Sequence, residues 1–219
     1  MVIHSSVALQ AFTQPVDTDM SMEEFIAYCA RVSNPKNQNN HLTAKKLLRF
    51  LARERHWSPF EMANLVIEIK TTRDIARQIL RHRSFTFQEF SQRYAEVGSS
   101  THEIREARLQ DTQNRQSSIE IDDPDLQNKW NIQQEELNKH AHHVYRWALE
   151  QGIAKEVARA VLPEGLTMSR MYVNGTVRSW LHYCSGRTGL DTQKEHRLLA
   201  QQCWKIVCDK VPSLAEIEL

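Results

Sequence analysis

The densest concentration of chemically capable side chains in this chain is the run Arg81-His82-Arg83-Ser84-Phe85-Thr86-Phe87-Gln88-Glu89-Phe90-Ser91-Gln92-Arg93-Tyr94. Three guanidiniums, an imidazole, a carboxylate and several amides and hydroxyls meet there, a set able to grip a phosphate and polarise a ring. Neither a G-x-G-x-x-G fingerprint nor a Walker A loop occurs, so side chains would have to hold any nucleotide phosphate in place of a glycine-rich backbone cradle. The competing account is a helix end whose cations answer the macrodipole and then face water. On the residues alone the two accounts weigh about equally.

A second set comprises Arg159 in EVARAVLP and Arg178, His182 and Arg187 in NGTVRSWLHYCSGR. Arg178 and His182 share a helix face, whereas Arg178 and Arg187 fall on opposite sides of a helix turning about 100° per residue. Either Gly186 breaks the helix before Arg187, or the two arginines serve sites contributed by different subunits. His140, His142 and His143 lack a carboxylate at zinc-site spacing and read as a solvated helix, so no metal is expected. Ser91 beside Glu89 and His82 could be drawn as an activated nucleophile, but no nucleophile-elbow turn surrounds it. Cys29, Cys184, Cys203 and Cys208 contain no C-x-x-C pair and read as structural thiols, with Cys184 and Cys203 in the core.

The elements that must position these groups are legible from periodicity. Val2–Leu9 and Asn64–Lys70 read as strands. Ser21 with Glu24 makes a capping box for a helix through Phe25, Ile26, Cys29 and Ala30, and Leu42–Arg55 repeats Leu42, Leu47, Leu48 and Leu51 at helical spacing until Trp57-Ser58-Pro59 ends it. Thr72–Leu80 predicts an amphipathic helix edged by Arg73, Arg77 and Arg81. From Gly98 to Asp125 the chain is almost wholly polar, predicting a surface excursion with a short helix or hairpin. Helical periodicity then covers Leu126–Gln151, Lys155–Leu162, Thr167 to about Ser185, and Gln193–Lys210. Strands and helices are segregated, which argues for a helix-rich α+β domain whose small antiparallel sheet comes from the N-terminal half and the segment after Ser91.

Composition narrows the function classes. The 219 residues are 41% hydrophobic and 25% charged, with four cysteines, as expected of one globular domain over 1–219. A net charge of +1 lacks the electrostatic footprint of a general nucleic-acid binder. No apolar run reaches the ~18 residues of a membrane span, and no basic-then-apolar leader opens the chain, so the expected compartment is the cytoplasm. Arginine outnumbers lysine eighteen to ten, favouring forked recognition of carboxylate, phosphate or a pyrimidine edge.

Arg81-His82-Arg83 followed by seven residues and Ser91 resembles the signature of the flavin-dependent thymidylate synthases. The resemblance continues in that family's order through Ala30-Arg31-Val32-Ser33, His56 with Ser58-Pro59-Phe60-Glu61, Ala76-Arg77-Gln78, Glu156-Val157-Ala158-Arg159 before Leu162-Pro163, and Arg178-Ser179 ahead of Arg187. It implies a homotetramer of α+β subunits with active sites built from more than one chain. It also implies reductive methylation of dUMP to dTMP, with methylenetetrahydrofolate giving the carbon, FAD carrying the hydride and NADPH reducing the flavin. By position it implies FAD contacts at Ser58, Arg81, His82, Arg83, Glu89, Thr176, Val177, Arg178 and His182, and His56 near flavin and folate. The implied dUMP contacts are Gln78, Arg81, Glu89, Phe90, Ser91, Gln92, Arg93, Arg159 and Arg187. Arg93 and Arg159 would grip the phosphate, and Arg187 would be catalytic at the pyrimidine edge. Thr86, Gln88, His182 and Asp191 depart from the common pattern, where Ser, Asn, Asn and His are usual. Two other classes compete: a non-catalytic nucleotide- or RNA-binding module using the same arginines, and a purely structural helical protein.

Overall fold

A computed structural model describes residues 5–16, 18–98 and 102–217. The chain divides into two compact units. One comprises Met1–Ser6, Ile69–Arg81 and Gln88–Met171, and the other Val7–Glu68, His82–Phe87 and Tyr172–Leu219. The architecture is helix-rich α+β, as the segregation of strand and helix patterns predicts. The longer strands are β1 (Ser6–Phe12), β2 (Asn64–Thr72), β3 (Thr86–Glu89) and β6 (Met168–Thr176), in the sheet order β1-β2-β6-β3. Residues Val2, Ile3 and His4 of the first expected strand lie outside the described residues.

In the unit that ends the chain, α1 (Met22–Ala30) starts at the expected capping box. The Ser21 N–H donates to Glu24 Oε2 at 2.8 Å, and the Glu24 N–H donates to Ser21 Oγ at 3.3 Å. Helix α2 (Ala44–Arg53) is shorter than its periodicity suggests, because a 3-10 turn over His41–Thr43 precedes it. Leu42 is therefore 99% exposed instead of lining the core. The helix also stops before Trp57: Arg55 takes a φ of +58°, its N–H meets Ala52 O, and the His56 N–H reaches back to Leu51 O at 2.8 Å. That is a Schellman stop made with arginine where glycine is the usual choice.

The largest departure from the sequence pattern lies at Thr167–Ser185, which is not one helix. It is β6 followed by α6 (Val177–Ser185). Along β6 burial alternates strictly, with Ser169, Met171, Val173 and Gly175 inward and Arg170, Tyr172 and Asn174 outward. An alternating pattern only four inward positions long resembles helix spacing until the sheet pairs with it. The sheet likewise takes its last strand from before Ser91, at Thr86–Glu89, and not from after it. Gly175 on β6 is required by close approach. A Cβ there would lie 2.3 Å from Phe85 Cδ1 and Cε1, and Phe85 is itself held against Trp180 with ring centroids 4.5 Å apart. Gly175→Ala is expected to destabilise by about 1–3 kcal/mol through overpacking. A urea midpoint equal to wild type would show instead that Phe85 swings aside freely.

The other unit is organised by α3 (Arg73–Ile79), the 27-residue α4 (Pro124–Glu150) and the short α5 (Lys155–Ala158), which a 3-10 turn over Arg159–Val161 extends. Helix α4 begins on Asp123, whose carboxylate accepts the Leu126 N–H at 2.9 Å. Its inner end packs Tyr145 and Ala148 with Val97, Ala158 and Leu162. Of the three clustered histidines, His140 and His143 are exposed, but His142 is buried, which corrects the solvated-helix reading for that residue. The polar stretch does contain a hairpin, β4 (Arg108–Gln110) against β5 (Ser118–Glu120), with Leu109 facing Ile119. Residues 99–101 lie outside the described residues. The stretch before the hairpin is not a free excursion: His102 bridges Thr167, and the Arg105 N–H and C=O are both bonded to the Gln134 amide. These ties are polar, so hydrophobic periodicity could not reveal them. Helix α7 (Lys194–Lys210) closes the chain against α6, and no helix among the described residues is long and apolar enough to cross a membrane.

Candidate active site

In the unit carrying α3 and α4, a cluster of ion pairs and hydrogen bonds centres on Glu89. Arg73 and Arg77, one turn apart on α3, place Nη1 atoms 3.9 and 3.7 Å from the two Glu89 carboxylate oxygens. The Ser169 hydroxyl donates to Glu89 Oε1 at 2.8 Å. Glu164 takes the other side of both arginines, at 3.1 Å from Arg73 Nε and 3.6 Å from Arg77 Nε. The basic edge of α3 is thus only partly a solvated face: Arg73 is buried against two carboxylates, while Arg77 and Arg81 are exposed. Sequence reasoning missed Arg73, Glu164 and Ser169 as the frame for Glu89. Their partners are distant in sequence, and only the alternation of β6 could have marked Ser169 as inward.

The same unit holds the positions at which dUMP contacts are expected, from Gln78 and Arg81 to the run Phe90-Ser91-Gln92-Arg93 and Arg159. The Phe90 N–H donates to Arg170 O at 2.8 Å, and Ser91 O accepts the Tyr94 and Ala95 N–H groups, so the chain turns over Ser91. Gln92 is buried, and its amide Nε2 finds no acceptor among the described residues. Arg93 pairs with Glu156 at 3.3 Å, which ties it to the short helix leading into Arg159. Gln78 and Arg81 stand at the end of α3, where the Arg81 N–H meets Gln78 O. Beside this segment lies an open cavity of about 420 Å³ lined by Lys70, Phe90, Glu96, Val97, Ser169 and Arg170 among others. Two cations, one carboxylate, a hydroxyl and an aromatic wall give it a net positive lining able to take a polar ring-bearing ligand.

The unit carrying α6 holds the remaining predicted positions. The Schellman stop leaves His56 exposed with its ring edge-on to Phe50, and Ser58 opens the 3-10 turn Ser58–Glu61. Glu61 at the end of that turn is ion-paired with Arg178. Thr176 caps α6, its hydroxyl accepting the Ser179 N–H at 3.1 Å. Val177 is fully buried and its N–H donates to Ala63 O, so it anchors the start of α6 in the core. His182 rests edge-on against Trp57, ring centroids 5.0 Å apart. Partial desolvation, then the Arg178 charge one turn away, lower its pKa below the usual imidazole range. It is neutral at pH 7.

Of the two routes open for Arg187, the helix break is the one seen. Helix α6 ends at Ser185, Gly186 caps it, and the Arg187 and Thr188 N–H groups both fold back onto Cys184 O. His82 of the signature run packs edge-on against Tyr183, with Arg83 exposed beside it. Burial raises the pKa of Cys29, Cys184, Cys203 and Cys208, the last to about 11. None is poised as a thiolate.

His196 is the most perturbed imidazole. Burial first, then the charges of Arg187 and His82, take its pKa down to about 4. An unfolded chain binds that proton near 6.5, so the stability His196 contributes is complete above about pH 6.5 and is lost as pH falls toward 4. The loss should be on the order of 3 kcal/mol. Urea unfolding from pH 7 to 4 should show this slope, flattened in His196→Gln. Equal slopes in the two proteins would assign the acid sensitivity elsewhere.

Comparison with known proteins bears on what such a site does. The family model described as "Thymidylate synthase complementing protein" matches residues 16–213. The chain is 48% identical over 212 residues to a probable flavin-dependent thymidylate synthase of Paramecium bursaria Chlorella virus 1, covering 96% of this chain and 97% of that one. It is 49% identical over 196 residues to the flavin-dependent thymidylate synthase of a Synechocystis strain, covering 90% and 89%. Among solved structures it resembles a UMP/dUMP methylase of Streptomyces cacaoi bound with 5-Br dUMP, with a TM-score of 0.84 at 26% identity over 97% and 93% of the two chains.

Proposed function

This chain belongs to the flavin-dependent thymidylate synthases, and from that membership we propose that it methylates dUMP to dTMP with FAD as hydride carrier, methylenetetrahydrofolate as carbon donor and NADPH as reductant. The observation that carries the reading is the Glu89 frame, a costly convergence of Arg73, Arg77 and Ser169 on the one carboxylate of the signature run. Such a frame fixes the neighbouring Phe90-Ser91-Gln92-Arg93 backbone for a ligand instead of leaving it to solvent.

The residues present suit the cofactor. Arg83 and Arg178 offer guanidiniums for a diphosphate, Arg178 already paired with Glu61, and His182, His56 and Ser58 offer ring and hydroxyl contacts. In the proposal Ser58, Arg81, His82, Arg83, Glu89, Arg178 and His182 hold FAD, with Thr176 contributing backbone, Val177 seating that turn from the core, and His56 meeting flavin and folate. When bound, FAD supplies the redox chemistry that no amino-acid side chain offers. The protein's part is positional and electrostatic. Arg93 and Arg159 fork onto the phosphate, and Gln78, Glu89, Phe90, Ser91 and Gln92 orient the nucleoside. Arg187 lies along the pyrimidine edge, where its fixed charge stabilises negative charge developing on the ring. Four raised thiol pKa values support a route without a cysteine nucleophile. The same proposal includes a cytoplasmic homotetramer of single-domain chains whose sites draw residues from more than one copy.

The test is the visible absorption spectrum of the purified, untagged protein before and after dUMP. A yellow protein whose flavin bands shift on adding dUMP is the expected result. A protein that stays colourless with excess FAD would overturn the reading.

A further inference from the structure

Behind His82 lies a buried pair that the signature does not include. Tyr183 and His196 are 1% exposed each, and Tyr183 Oη and His196 Nε2 are 3.1 Å apart. The Tyr183 ring stands at 87° to the His82 ring with centroids 4.9 Å apart, and His196 meets the same imidazole at 81° and 6.4 Å. Two neighbours of fixed orientation therefore wall one side of the His82 ring. Phe85 and Trp180 pack edge-on against the Tyr183 ring at 5.6 and 5.9 Å, leaving only the small freedom of its hydroxyl end to be settled by a polar partner. A hydrogen bond at the hydroxyl removes that freedom, and an unpaired hydroxyl there would be costly.

We propose that His196 is a positioning residue: through the Tyr183 hydroxyl it fixes the aromatic wall that orients His82 within Arg81-His82-Arg83. Burial keeps Tyr183 protonated and His196 neutral, so the phenol O–H can donate to the imidazole in the tautomer that carries its hydrogen on Nδ1. The hydrogen bond spans thirteen residues, from α6 to α7, so the grip on His82 depends on the docking of the C-terminal helix. The proposal rests on the reading of His82 as a flavin contact.

The experiment measures FAD dissociation constants by fluorescence titration and records the bound-flavin spectrum for wild type, His196→Leu, Tyr183→Phe, the double variant and His196→Gln. Each of the first two variants should bind FAD about tenfold more weakly, the scale of one buried hydrogen bond. Both should give the same altered flavin bands, and the double variant should be no weaker than either single one, because all three lose the same bond. His196→Gln, whose amide can reach the hydroxyl, should restore the wild-type spectrum. If wild type binds FAD and the variants match it, or if the two losses add, the positioning role is overturned while the functional reading stands. If wild type itself binds no FAD, both fall. Should His196→Leu fail to fold, Tyr183→Phe against wild type decides the question.

Discussion

Arg187→Ala is expected to lower dTMP formation by at least about a hundredfold while leaving bound flavin and the unfolding midpoint close to wild type. The fold should tolerate the change because the Arg187 guanidinium makes its hydrogen bond to the adjacent Gly186 carbonyl, at 2.8 Å, just beyond the end of α6. Little packing is lost. The chemical cost is large because a pre-placed cation at the ring is felt most when charge develops there, so the loss should fall on kcat more than on KM for dUMP. Arg187→Lys keeps the charge but not the fork and should recover only part of the activity. A side effect gives an internal check. Arg187 is one of the charges depressing His196, so its removal should raise the His196 pKa and weaken the acid sensitivity of stability. An Arg187→Ala enzyme with near-normal turnover would remove the role assigned to this residue. One that loses flavin instead would move Arg187 to the cofactor.

Trp180→Ala should be the most destabilising single change, costing about 3–5 kcal/mol and shifting the urea midpoint accordingly. Trp180 is fully buried, packs tilted against Phe85 at 4.5 Å and edge-on against Tyr183 at 5.9 Å, and donates its indole N–H to Leu65 O at 3.2 Å. Truncation opens a cavity and also strands a strand carbonyl. Trp180→Phe refills most of the cavity and should cost only about 1–3 kcal/mol, mostly the orphaned carbonyl. The two rings released by the alanine variant, Phe85 and Tyr183, are those against His82. Flavin retention should therefore fail at lower denaturant than global unfolding. A variant within about 1 kcal/mol of wild type would mean that the surrounding rings collapse to fill the space.

The elements that rely on near neighbours were legible in the chain. Ser21 with Glu24 marks the start of α1 because the bonds of a capping box lie within three residues. The long α4, the closing α7 and the alternation of Asn64–Lys70 follow from periodicities that local geometry imposes. The signature from Arg81 to Ser91 and the arginines around it were equally readable, because residue type and spacing carry them.

Tertiary structure decided what depends on partners far along the chain. β6 is a strand because the sheet pairs with it, although its spacing also fits a helix. Leu42 is exposed because α2 starts two residues after it. Glu89 gains its frame from Ser169, eighty residues away, and Glu164 holds Arg73 from ninety-one residues away. The Tyr183–His196 pair exists only because α7 docks on α6. The physical reason is common to all but Leu42, whose exposure follows from the local 3-10 turn over His41–Thr43. Hydrogen bonding and side-chain periodicity within a turn or a strand are set by the chain's own geometry. Which buried polar group meets which is settled only when distant segments share one low-dielectric interior, where an unmet partner is expensive.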